Sequence, residues 1–284
     1  MPSDPLRWRG TLVTLGIALA LFAADPPALL ATDARGGWTT YTAATEQRIA
    51  RELQDGQRFL GLDFAPDAER DRAGLLAGET VVRPLEIRDR YSRALDVPSA
   101  TVQHWRGAVL IPGIRLEEVM RDLQDGPPAD QEDVLRAAVL SRGPDSLNVF
   151  LRLRRTRIIT VVYDTEHRVT FRTFGPNRAS STSIATKIAE VADAGTPTEH
   201  ELPPGEDRGL LWKLNAYWRY EQVGHGVIAE CESVTLSREV PSLLRPVAMP
   251  LVRGAAHESM ERTLTGLRAH FTARRTPRGS LPAR

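Results

Sequence analysis

The stretch WKLNAYWRYEQVGHGVIAECESVTLSR, residues 212–238, decides the fold. Two period-two runs flank Gly224-His225-Gly226, a short glycine-bounded break that marks a β-hairpin. Successive side chains of a strand point to opposite faces. Trp212, Leu214, Trp218 and Tyr220 therefore share one face, and Lys213, Asn215, Tyr217, Arg219 and Glu221 share the other. The aromatic face is expected to turn inward. The turn length sets the partner strand. With three turn residues Val223 opposes Val227, so Glu232 falls opposite Trp218 and Glu230 opposite Tyr220, two carboxylates inside an apolar cavity. A two-residue turn shifts every pair by one. Arg219 is then expected to meet Glu232 as a cross-strand ion pair within a lattice that includes Arg152, Lys187 and Glu190.

Upstream of the hairpin the same alternation continues. Leu147, Val149, Leu151 and Leu153 face one way and Asn148, Arg152 and Arg154 the other, as in a sheet wetted on one side. Strands are expected at 105–111, 134–141, 147–163, 168–172, 180–191, 210–223 and 227–238, seven in all. Between the first two, Leu116, Val119, Met120 and Leu123 recur at i, i+3, i+4 and i+7, the stripe of a short helix that ends at Gly126-Pro127-Pro128. Downstream, Met260, Leu264, Leu267 and Phe271 form a longer stripe, predicting a helix over about 255–273 that packs on the sheet, with Glu258 and Arg262 paired one turn apart. The apolar segment 243–252, broken by Pro246 and Pro250, reads as a cap over a cavity mouth.

The N-terminal part is less regular. Arg7 and Arg9 precede an uncharged apolar run, Thr11 to Ala24, that Asp25-Pro26-Pro27 ends. The run is shorter than the roughly 20 residues of a membrane span and has the form of a removable secretory signal, cut after Ala31 or Ala34. The chain is therefore expected to be exported, periplasmic or secreted, with no membrane anchor after cleavage. Residues 35–100 read as an extension rather than a separate domain: a helix within 41–62 on Ile49, Leu53 and Leu60, a connector over 65–79 and a short strand at 80–87. A folded domain follows over 101–274, and 275–284 form a disordered basic tail.

Composition adds exclusions. Thirty-seven basic and thirty-six acidic residues leave a net charge of +1, which argues against nucleic acid as a partner. Cys231 is the single cysteine, so no internal disulfide exists, and its apolar strand suits a buried small residue better than a nucleophile.

The order strand, short helix, six antiparallel strands and long terminal helix resembles the helix-grip architecture of the START-like, or SRPBCC, superfamily over about 101–274. The segments His104-Trp105-Arg106-Gly107, Ile111-Pro112-Gly113, Ile188-Ala189-Glu190-Val191, 211–219 and Glu230-Cys231-Glu232 are similar to an exported bacterial group within it. The resemblance implies an α+β fold, an antiparallel sheet wrapped around a C-terminal helix. It also implies a cavity for lipids, sterols, polyketides or other apolar molecules. Gly126-Pro127-Pro128 departs from the bulkier stretch expected there and is expected to alter the cavity entrance. The superfamily includes carriers, cyclases and regulators, so fold does not choose function.

Signatures of chemistry are sparse. There is no G-x-S-x-G elbow, P-loop or G-x-G-x-x-G. His257-Glu258-Ser259-Met260-Glu261 lacks the second histidine of a zinc-protease helix. No catalytic residue, metal or cofactor is assigned. The leading expectation is a binding protein for a small hydrophobic or amphipathic ligand, with aromatic walls from Trp105, Trp212 and Trp218 and polar anchors among Asn215, Tyr217, Arg219, Glu230 and Glu232. Alternatives are a cyclase- or hydrolase-type enzyme using a cavity carboxylate, or an envelope interaction module whose cavity is filled by Phe150, Phe171, Trp212 and Met260.

Overall fold

A computed structural model describes residues 32–89, 91–128, 131–156 and 160–273. The apolar run Thr11–Ala24 and the basic tail lie outside the described residues. In chain order the elements are α1 (Thr32–Glu52), a 3-10 turn (Gly61–Phe64), α2 (Ala68–Leu76), β1 (Thr80–Pro84), β2 (Ala100–Pro112), α3 (Leu116–Asp125), β3 (Val134–Gly143), β4 (Ser146–Thr156), β5 (Thr160–Thr173), β6 (Arg178–Ala192), β7 (His200–Glu201), β8 (Lys213–Val223), β9 (Gly226–Arg238) and α4 (Arg245–Ala273). They form an antiparallel sheet in the order β1-β2-β9-β8-β6-β5-β4-β3, with β7 paired to β6. The long helix α4 lies against β1, β2 and β9. This is the helix-grip α+β architecture.

The sheet has nine strands rather than the expected seven, because β1 joins from the N-terminal extension and the two-residue β7 adds a second short edge. The run 147–163 is two strands, β4 and β5, paired antiparallel from Ser146↔Thr170 to Thr156↔Thr160. No glycine or proline within it marks the reversal. The N-terminal helix begins at Thr32 and ends at Glu52, earlier than the 41–62 expected, and the presumed connector contains α2. The terminal helix begins ten residues before the expected start, at Arg245. Pro246 sits in the first turn, where its missing N–H has no helical partner in any case, and only Pro250 is interior.

The inner face of the sheet packs on α3 and α4. Val109, Ile111, Ala229, Cys231 and Tyr220 meet Val119, Met260, Leu264, Leu267 and Phe271 in one buried cluster. The helix approaches β2 closely at Gly107, where an added Cβ would lie 2.6 Å from Leu264 Cδ1 and 2.8 Å from Met260 Cγ. A glycine there lets the helix settle on the strand.

The outer face is covered as well, over its central strands. Ala34, Trp38 and Tyr41 of α1 pack with Ile87, Val97, Tyr217, Val234 and Leu236, while Phe59, Leu60, Leu62 and Leu75 pack with Val81, Ala108, Leu110 and Ile228. Strands β2 and β9 are consequently buried on both sides, β2 without a break from His104 to Ile111 and β9 without a break from Gly226 to Glu232. The sheet wetted on one face holds for β4, where Asn148 and Arg154 are exposed, and not for the centre. Among the described residues no helix is long and apolar enough to cross a membrane.

Candidate functional site

Between the inner face of the sheet and α4 lies a cavity of about 780 Å³. Alternation builds its walls. Leu147, Val149, Leu151 and Leu153 of β4, Val161, Val169 and Phe171 of β5, and Leu214, Ala216, Trp218 and Tyr220 of β8 all turn toward it. Trp105 of β2 adds an aromatic wall and stands edge-on to His257 of α4, ring centroids 5.7 Å apart. Trp218 and Tyr220 lie nearly parallel at 6.1 Å. The roof is the N-terminal half of α4, with Ala248, Leu251 and Val252, together with Leu244 just before it, and Pro127 and Pro128 form part of the rim. The segment expected as an irregular cap does cover the cavity, but as helix.

Charge stays at the edge of this space. The charged residues that line it, Asp133, Arg155, Arg238, Glu239, Glu258 and Arg262, are each half-buried or exposed. Asp133 holds two of them: Arg155 Nη1 lies 2.9 Å and Arg262 Nε 3.2 Å from its Oδ2. Arg262 thus turns to the residue just before β3.

The deeply buried polar lining is neutral. His167 Nε2 lies 3.0 Å from Thr165 Oγ1, and His167 Nδ1 lies 3.2 Å from Ser183 Oγ. The Thr165 hydroxyl donates to the Leu151 carbonyl at 2.9 Å, so its oxygen can only accept from the imidazole. This assigns the proton to Nε2 and leaves Nδ1 to accept from Ser183. Burial pushes the His167 pKa down to about 4, so the ring is neutral near pH 7. Ser181 and Tyr220 share a hydrogen bond at 3.3 Å. Cys231 lines the cavity too, its thiol pushed up by burial and by the neighbouring carboxylates, which keeps it protonated and unreactive.

The hairpin register overturns the expected carboxylate site. The turn holds two residues, Gly224 and His225, so Val223 opposes Gly226, Trp218 opposes Cys231, Tyr217 opposes Glu232 and Arg219 opposes Glu230. Glu232 does not meet Arg219, as a two-residue turn was expected to arrange, nor do Glu230 and Glu232 enter the cavity. Trp105 and Trp218 line the cavity; Asn215, Tyr217, Arg219, Glu230 and Glu232 lie on the opposite face beneath α1. Trp212 precedes β8, packs with the α1 cluster and donates from Nε1 to Asp207 Oδ1 at 3.2 Å. The ion-pair lattice also divides: Arg152 grips Asp164 and Glu199, Lys187 pairs with Glu201, and Glu190 with Arg208.

Beneath α1 the buried charges satisfy one another. Glu232 takes Arg48, His104 at 2.7 Å and Arg106 at 3.1 Å. Glu230 accepts the backbone N–H groups of Gly61 and Leu62 at 2.6 and 2.7 Å. Arg219 donates to Glu52 at 2.5 Å and to the Phe59 carbonyl at 2.8 Å. Tyr217 donates to Glu46 at 2.9 Å and accepts from Asn215 at 3.1 Å. Burial pushes the Glu232 carboxyl up, but the hydrogen bond from His104 and the charges of His104, Arg48 and Arg106 outweigh it and hold it below the usual carboxylate range. These groups fasten the N-terminal segment to the sheet. No cluster of three His, Cys, Asp or Glu side chains that could hold a metal occurs among the described residues.

Sequence reasoning missed Tyr163, His167 and Ser183. Tyr163 lay in the run read as a single strand, and the polar pair is scattered over β5 and β6, adjacent only through their register.

No family model matches the chain, and no curated protein matches it. Solved structures do. A STAR-related lipid transfer protein from Xanthomonas axonopodis is 17% identical with a TM-score of 0.43, over 62% of this chain and 96% of that one. The human StarD13 lipid transfer and protein localization domain is 11% identical with a TM-score of 0.44, over 68% and 84%. The Zhui aromatase/cyclase from Streptomyces sp. R1128 is 12% identical with a TM-score of 0.40, over 64% and 100%. These are likenesses of fold between distant sequences; the helix grip described here rests on the chain's own strand order and on α4 lying across it.

Proposed function

We propose that the chain binds and carries a small hydrophobic or amphipathic molecule in the cavity between its sheet and α4. The observation that carries this reading is the 780 Å³ space itself, walled by aliphatic and aromatic side chains from β4, β5, β8 and α4. That volume lies within the range of small-molecule sites, and its apolar wall with few polar groups is their usual character. Trp105 and Trp218 would form the aromatic walls around the ligand. The same reading takes the protein as exported, on the charge-flanked apolar run Thr11–Ala24.

The enzyme alternative loses the residues it was built on, since Glu230 and Glu232 are on the other face. The filled-cavity alternative loses two of its four plugs: Phe150 lies beneath the Arg136 guanidinium, away from the cavity, and Trp212 belongs to the α1 cluster. Phe171 and Met260 line the space without closing it.

Native mass spectrometry of the protein purified from its own type of host, followed by organic extraction, tests the proposal. A stoichiometric apolar adduct is expected. Protein that is empty and also takes up no fluorescent lipid probe would sink it.

A further inference from the structure

The geometry points to a specific class of cargo: an uncharged, oxygen-bearing lipid whose carbonyl or hydroxyl oxygen hydrogen-bonds to Tyr163, with Ser183 on the same wall accepting from a ligand hydroxyl. This rests on the carrier reading and adds to it which ligands the cavity selects.

Tyr163 lines the cavity at 3% exposure, and its hydroxyl has no hydrogen-bond partner among the described residues. A buried hydroxyl left unsatisfied costs free energy that a ligand oxygen would recover. Glu190 of β6 is paired directly opposite Tyr163 of β5 and is itself fully buried. Burial and the neighbouring Glu190 charge push the phenol pKa up against the opposing charges of Arg208 and Arg155, so the group is a donor.

Ser183 offers the complementary function. Its proton is committed to His167, whose own proton goes to Thr165 and so to the Leu151 carbonyl, which leaves the Ser183 oxygen only as an acceptor. Tyr163 and His167 are four residues apart on β5, roughly 13 Å at the usual rise of a strand. The wall therefore presents a donor and an acceptor along its length. Between them and around them nothing buried carries a free charge, whereas the charged lining is confined to half-buried or exposed positions. The charges nearest Tyr163 are already paired, Glu190 with Arg208 and Arg155 with Asp133, so a carboxylate or ammonium placed beside it would be desolvated with no unpaired counter-charge to meet it.

The test is displacement of N-phenyl-1-naphthylamine from the delipidated full-length mature protein by a matched sixteen-carbon series: hexadecane, 2-hexadecanone, 1-hexadecanol, palmitate and hexadecyltrimethylammonium. The ketone and the alcohol are expected to displace about tenfold more tightly than the alkane and the two ions. Tyr163→Phe should erase the advantage of the ketone and leave hexadecane unchanged, and Ser183→Ala should weaken the alcohol alone. Because the Tyr163 hydroxyl has no protein partner, Tyr163→Phe should not lower the melting temperature of the empty protein, which separates a ligand contact from a structural one. Tightest displacement by palmitate, or an unchanged ketone preference in Tyr163→Phe, overturns the assignment while leaving a carrier in place. Failure of the naphthylamine probe and of every member of the series to bind would instead overturn the carrier reading.

Discussion

His104 Nε2 sits 2.7 Å from Glu232 Oε1 on the face of the sheet turned away from the cavity, and Arg106 and Arg48 close on the same carboxylate. The Tyr41 hydroxyl contacts the other imidazole nitrogen at 2.9 Å, so strand β2 links α1 to β9 through one histidine. A carboxylate this well surrounded anchors a layer of the fold.

Glu232→Gln should therefore act on stability. Removing one partner of a buried charge group leaves the others uncompensated, at a cost of about 3–5 kcal/mol. Denaturant unfolding is expected to show that loss, while lipid-probe affinity of the folded fraction stays at the wild-type level. Normal stability with lost binding would mean that Glu232 touches the ligand after all.

His167 predicts the acid sensitivity. Its folded pKa is depressed to about 4, against about 6.5 in the unfolded chain. Between those values the unfolded state takes up a proton that the native state refuses, so stability falls as pH drops from about 6.5 toward about 4, by on the order of 3 kcal/mol. Glu232, also depressed, loses its contribution only at lower pH, as the carboxylate itself is protonated. Melting curves across pH 4–7 should slope for the wild type and flatten in His167→Gln; equal slopes would show that another group titrates there.

Gly107→Ala tests how closely α4 grips β2. The added Cβ would fall 2.6 Å from Leu264 and 2.8 Å from Met260. Such contacts must be relieved by shifting the helix, at about 1–3 kcal/mol. A clear drop in melting temperature is expected, and an unchanged one would mean that the helix yields without cost.

Deleting residues 32–64 should abolish the fold. It exposes Tyr217, Val234 and Leu236, strips Glu230 and Arg219 of their partners and takes Arg48 from Glu232. Dispersed amide resonances from the chain lacking 32–64 would show that the outer layer is dispensable.

Apart from α2, β7 and the β4–β5 reversal, the sequence alone determined the element types and their order, because alternation at period two and stripes at period 3.6 are local. The inward rows on β4 and β8 and the buried stripe of Met260, Leu264, Leu267 and Phe271 lie where those periods put them. The tertiary structure decided what each face meets. One residue in the Gly224-His225 turn moves Glu230 and Glu232 from the cavity to the opposite side, and local pattern does not count turn residues. The outer layer was illegible for a related reason: α1 covers the central strands with polar and aromatic side chains matched to buried charges, so Tyr217, Arg219 and Glu232 read as a site when they are a seam. Tyr163, His167 and Ser183 meet through the pairing of β5 with β6, including the register shift between Glu166 and His167. Local periodicity fixes which residues face together, and only long-range pairing, driven by burial on both sides of the sheet, fixes what they face.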